Sequence, residues 1–247
     1  MKLTHRFGFT IIETMLFLAV TGMLVVAVLV GTGASINRQR YRDSITSLQS
    51  VIQQQYSEVS TVNNGRDNGW VCDSASGAIT KIDSGSGVPR GQSDCVMLGR
   101  LITPSDDGKS LIVSDVIGVE TAGNNEANTD VEALSQYNMH ISPIANETHI
   151  IEWGSSMVKP GSDEIVVFSV LILQSPLSGV VRTFINSNEA ITDANINSII
   201  TKTALAEPVK ICVNSNGLFN GKRMAVTVNA GASSAAGVET LGDASGC

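Results

Sequence analysis

No proline occurs before Pro89, and no charged side chain lies between Glu13 and Arg38. Nothing in this first third of the chain forces a helix to break, since proline is the residue that both removes a backbone donor and clashes with the preceding turn. Histidine is equally sparse, at three residues in 247. With His5 in the N-terminal leader, only His140 and His149 remain, and neither stands in a nucleophile or metal-ligand motif. The four cysteines form no Cys-x-x-Cys pair and no Cys/His cluster, which excludes the usual patterns of cysteine-based metal or redox chemistry. The composition therefore points away from an enzyme and calls for no cofactor and no metal. The formal charge is −7, and −9 without Lys2 and Arg6, which disfavours nonspecific binding to nucleic acid, because that needs clustered cations against phosphates. No internal repeat is evident.

What is present begins with a short basic leader, Met1 to Gly8, followed by Phe9-Thr10-Ile11-Ile12-Glu13 and an apolar stretch that runs to Ile36. Thr14 to Ala34 is long enough as a helix to cross a hydrocarbon core about 30 Å thick. A carboxylate at membrane depth costs about 2.5–3.5 kcal/mol on insertion scales, so the single acid Glu13 calls for a role and a partner. Lys2 and Arg6, with no acid beside them, place the leader on the cytoplasmic face and the chain beyond Ile36 outside. A secretory signal carries its small-residue cleavage site after the apolar region, whereas Gly8 precedes it, so cutting there leaves the helix on the mature chain.

Gly8, Phe9-Thr10-Ile11-Ile12-Glu13 and the apolar helix that follows resemble the class III signal of type IV pilins and the related pseudopilins. The resemblance covers about the first 35 residues. It implies cleavage after Gly8 by a prepilin peptidase, N-methylation of Phe9, and pairing of Glu13 with the N-terminal amine of a neighbouring subunit during assembly. It also implies other pilin subunits and an assembly platform as partners, with residence in the cytoplasmic membrane followed by a surface filament. One departure is the missing proline about 20 residues into the mature helix of many major pilins. Gly22, Gly31 and Gly33 are the weak points here, each costing about 1 kcal/mol relative to alanine.

Beyond the apolar stretch, Tyr41, Ile45, Leu48, Ile52, Tyr56, Val59 and Val62 recur at spacings of three and four, with Arg42, Asp43, Gln49, Gln53, Gln54, Ser57 and Glu58 on the other face. This predicts an amphipathic continuation over 37–62, ended by the cap-tolerant Asn63-Asn64-Gly65. Residues 1–8 are thus read as leader, 9–36 as membrane or filament-core helix, and 63–247 as a β-rich head. The fold class expected is α+β, a long N-terminal helix packed on an antiparallel sheet.

Within the head, Glu164 to Leu173 and Val180 to Ile185, separated by Pro176-Leu177-Ser178-Gly179, predict a hairpin at the centre of a sheet. Lys210 to Val213 and the alternating Met224, Val226 and Val228 predict further strands, with weaker signals at 96–102, 111–119 and 149–153. The Gly/Ser-rich segments 73–94 and 231–237 predict exposed excursions. Four cysteines beyond the membrane segment fit an oxidising exterior and allow three pairings, of which Cys72–Cys95 and Cys212–Cys247 are favoured because each closes a local, turn-rich excursion. Asn124 to Asp130 offers oxygen ligands for Ca²⁺ but lacks the spacing of a calcium loop, so a solvated loop is the preferred reading. Asn146-Glu147-Thr148 is read as a chance glycosylation triplet. Arg38, Arg40 and Arg42 fit anchoring at lipid headgroups.

The function expected is that of a structural subunit of a type IV pilus or related filament, a minor pilin on account of its large head. The alternatives are a pseudopilin of a type II secretion system and a pilus-borne adhesin whose head recognises a ligand. Whether such a ligand is a host surface or DNA is left undetermined by these residues.

Overall fold

The structure, a computed structural model, describes residues 10–61, 70–73, 79–81, 95–121, 126–187, 189–201, 207–242 and 246–247. The leader with Lys2, Arg6 and Gly8, the residue Phe9, the turn Asn63-Asn64-Gly65 and most of 73–94 lie outside the described residues.

The proline-free N-terminal region forms one helix, α1, over Ile11–Ser60. Its 50 residues span roughly 75 Å. Thr10 caps the start, its hydroxyl accepting the Glu13 amide at 3.3 Å, and the Thr61 amide closes the end on the Glu58 carbonyl at 3.2 Å. The helix stops at Ser60, where the Ser60 and Thr61 hydroxyls both fold back on the Ser57 carbonyl. Such local side-chain bonds compete with another helical turn.

The head is antiparallel throughout its described sheets. A ribbon pairs β1 (Trp70–Cys72) with β2 (Ile79–Lys81). A five-stranded sheet has the order β5-β4-β3-β7-β8, where β3 is Cys95–Pro104, β4 Ser110–Glu120, β5 Tyr137–Ile150, β7 Ser169–Gln174 and β8 Val181–Asn186. A four-stranded sheet has the order β11-β10-β9-β6, where β6 is Ser156–Val158, β9 Val209–Asn214, β10 Met224–Val228 and β11 Val238–Leu241. Two short helices, α2 (Asp130–Ser135) and α3 (Ile196–Thr201), complete the head. The layout is α+β.

Tyr41, Ile45, Leu48, Ile52, Tyr56 and Val59 are all buried, and they fill the space between the two larger sheets. The β7 run explains why this region is so apolar. Val170 and Ile172 face α1, while Leu171 and Leu173 face a second core with Leu134 of α2 and Ile196 and Ile200 of α3. A strand covered on both faces has no polar positions to alternate with.

Two expectations for this region need correction. The hairpin of β7 and β8 forms, but β8 is an edge strand and β3 is the centre of the sheet. Glu164 to Phe168 is not strand; a single bridge from Ile165 to Val158 ties it to the four-stranded sheet before the chain enters the other one as β7. The weak signal at 149–153 is the end of β5 followed by a 3₁₀ turn over Glu152–Gly154.

Candidate functional site: a helix half buried and half bare

Two halves of α1 meet different surroundings. From Tyr41 to Val59 one face is sealed in the head, whereas from Ile11 to Val30 the large apolar side chains are open, with Ile11 77% and Met23 79% exposed. Of the large hydrophobics in that projecting half, none is covered by the head, and a Cβ built at Gly22, Gly31 or Gly33 meets nothing within 4 Å. This is the one described helix long and apolar enough to cross a membrane. Its threonine hydroxyls bond the helix's own backbone. Thr14 donates to Ile11 O at 2.9 Å, Thr21 to Phe17 O at 2.8 Å and Thr32 to Val28 O at 2.9 Å. A helix that satisfies its own polar groups is the form a bilayer tolerates.

Glu13 sits in the first turn, where an acid complements the positive end of the helix dipole. It is the one carboxylate on the bare half of the helix, because the next acid along the chain, Asp43, already lies at the head.

The junction between bare and buried halves is polar and tightly bonded. The Tyr41 hydroxyl donates to Val213 O at 2.7 Å and accepts from Met224 N–H at 2.8 Å, and its ring stacks on Phe219 with centroids 5.3 Å apart. Burial pushes the Tyr41 phenol above its ordinary value, against the opposing pull of the Met224 amide and Arg223. Ser44 and Ser155 hydroxyls lie 3.3 Å apart, and Arg40 places its guanidinium 4.7 Å over the Trp153 ring.

Near the other end of α1, a charge cluster joins the helix to the sheet. Arg100 of β3 is buried; its Nη1 donates to Gln55 Oε1 at 2.7 Å and pairs with Glu58, and Asp115 Oδ1 lies 3.2 Å from its Nε. Glu147 of β5 adds a third carboxylate at 3.6 Å and also lies 3.5 Å from His149 Nε2. One guanidinium thus faces three acids. Burial pushes the Asp115 carboxyl above its ordinary value; Arg100 opposes that shift, and Glu147 and Glu58 add to it. Glu58, read from the sequence as part of the solvent face, is drawn into this cluster by its pairing with the buried Arg100.

The other candidates are dispersed. Cys72 bonds Cys95 with Cα atoms 6.0 Å apart, and Cys212 bonds Cys247 at 5.6 Å. The second bridge covers the outer face of the four-stranded sheet with Val158, Ala225 and Leu241. His140 Nδ1 lies 3.9 Å from Asp193, on a different pair of partners from His149. Among the described residues no group of three or more His, Cys, Asp or Glu side chains is arranged to hold a metal ion. In the 124–130 segment, Asp130 accepts from Ser178 at 2.6 Å and from Arg182 Nη2 at 2.9 Å, while Asn128 and Thr129 amides donate to Glu132. Those bonds, the Ser178 one first, hold the Asp130 carboxyl below its usual range. Asn124 and Asn125 lie outside the described residues.

Set against known families, curated proteins and solved structures, the chain matches none. The long apolar N-terminal helix followed by antiparallel sheets is compatible with a pilin-like architecture.

Proposed function

We propose that this chain is a structural subunit of a type IV pilus or related filament, of the minor-pilin kind, delivered through the cytoplasmic membrane. The observation that carries the reading is the division of α1. Its C-terminal half is built into the head, and its N-terminal half projects as a bare apolar rod with one acid in the first turn. A bare rod of this length needs either lipid or copies of similar rods around it, because exposed apolar area costs about 25 cal/mol per Å² in water. Membrane before assembly and a helical bundle afterwards supply both. Cleavage after Gly8 puts an ammonium on Phe9, four residues before Glu13, and the pair of opposite charges offsets a desolvation that each alone would bear.

Replacing Glu13 by leucine tests this. The variant still enters the membrane, since an apolar residue replaces a charge, but its share of sheared surface filaments falls at least about tenfold. An unchanged share in filaments, or no filament association for the parent chain, overturns the proposal. A plain single-pass anchor predicts no effect of the substitution.

A further inference from the structure

Trp153 occupies the left-handed region at φ 60°, ψ 24°, a conformation uncommon for a bulky side chain. Strain of this kind persists where surrounding structure over-determines it. Here the turn is held on three sides. Ile151 N–H donates to Lys109 O at 2.8 Å, Ser155 meets Ser44 of α1, and Asn216 Nδ2 donates to Gly154 O at 2.8 Å. The indole so presented is not used as core: Trp153 is 49% exposed, and Ile150, at the strand end leading into the turn, is 76% exposed. Among the described residues, its ring contact is the Arg40 guanidinium.

The height of this turn along α1 decides what covers it. Arg40 lies four to six residues beyond the apolar segment that ends at Ala34 to Ile36, roughly 6–9 Å along the axis. Helical side chains lean toward the N-terminus, which brings the guanidinium back toward the apolar half. The headgroup zone on each side of a bilayer is about 5–8 Å deep, and it is where tryptophan is enriched. Arg38, Arg40 and Arg42 supply cations at the same level.

We infer that Trp153 and Arg40 form a docking point of the head on the outer leaflet of the bilayer that α1 spans, with the indole at the glycerol level and the guanidinium on an anionic lipid phosphate. The inference rests on α1 being membrane-inserted and does not depend on filament assembly. Docking fixes the depth and the rotational setting of the head while the subunit waits in the membrane.

The test uses the full chain in vesicles of phosphatidylethanolamine and phosphatidylglycerol. With Trp70→Phe, Trp153 is the sole tryptophan, and its fluorescence is quenched about twofold more by lipids brominated near the headgroup than by lipids brominated deep in the chains. Arg40→Gln reduces that quenching, and so does replacing phosphatidylglycerol with phosphatidylcholine. Should the Trp70 change harm folding, the difference between the parent chain and Trp153→Phe isolates the same signal. A Val20→Trp probe, in a chain whose own tryptophans are phenylalanine, reports insertion and is quenched by the deep bromines. If Val20→Trp is quenched and Trp153 is not, the docking inference is overturned while α1 still spans. If neither is quenched, the membrane reading itself fails. Shielding of Trp153 that grows with protein density and ignores the brominated lipid also overturns it, in favour of a second copy of this chain.

Discussion

The Tyr41 hydroxyl stands between Val213 O and Met224 N–H, two groups that belong to directly opposed residues of β9 and β10. One side chain of the helix thus completes the end of a sheet ladder. It makes the first buried turn of α1 a part of the head.

Tyr41→Phe removes that hydroxyl and leaves a buried carbonyl and amide without it. We expect a loss of about 1–3 kcal/mol, read as a lower unfolding midpoint of the head in detergent. Because the folded phenol titrates above its ordinary value, this residue's contribution is complete below pH 10 and declines as pH rises beyond it. A variant as stable as the parent contradicts the role.

Arg100→Leu leaves Glu58, Asp115 and Glu147 around a buried position with no cation. The expected destabilisation at pH 7 is about 3 kcal/mol, and it shrinks as pH falls and the carboxylates take up protons. Denaturant unfolding of parent and variant at pH 7 and pH 4 measures the difference. A gap that is constant with pH excludes the charge cluster as its cause.

Asp115 titrates above the ordinary aspartate range because burial, reinforced by Glu147 and Glu58, outweighs Arg100. The folded state then binds more protons than the unfolded one between the two values. This group's contribution is fully present at acid pH and is lost as pH rises through its folded pKa. Carboxyl-carbon NMR titration of Asp115 shows a midpoint above the usual value; one below it contradicts the assignment.

Gly99 follows the irregularity in the β3–β4 register between Met97 and Gly99, and it lies opposite Leu173 of β7. An added methyl would collide with the Ile172 carbonyl and stand 2.8 Å from Leu173 Cα. Gly99→Ala forces the central strand pair apart and costs about 1–3 kcal/mol, visible as a lower melting temperature. A neutral substitution would show that β3 and β7 separate more easily than this close approach implies.

The parts of the fold visible in the sequence are those where one period dominates. The three-and-four spacing from Tyr41 to Val59 gave the buried face of α1, and alternation around Val226 gave β10. β5 was largely missed because among the described strands it lies at the edge, beside β4, and Asn138, Asn146, Glu147 and Thr148 break any apolar alternation. α3 was missed because six residues with two asparagines or serines between isoleucines carry little helical signal. α2 was missed as well: Thr129 and Glu132 stand at the spacing of a capping box, but the segment up to Asp130 is read from the sequence as a solvated loop. Arg100 meets Gln55 across 45 positions of sequence and Trp153 meets Arg40 across more, so only the fold brings these side chains together.

The most direct test of the account is the intact mass of this protein in filaments sheared from the cell surface, determined with and without reduction. The account predicts a chain that begins at N-methylated Phe9 and gains four hydrogens when Cys72–Cys95 and Cys212–Cys247 are reduced. A chain found only in the membrane, with Met1 to Gly8 still attached, would contradict it.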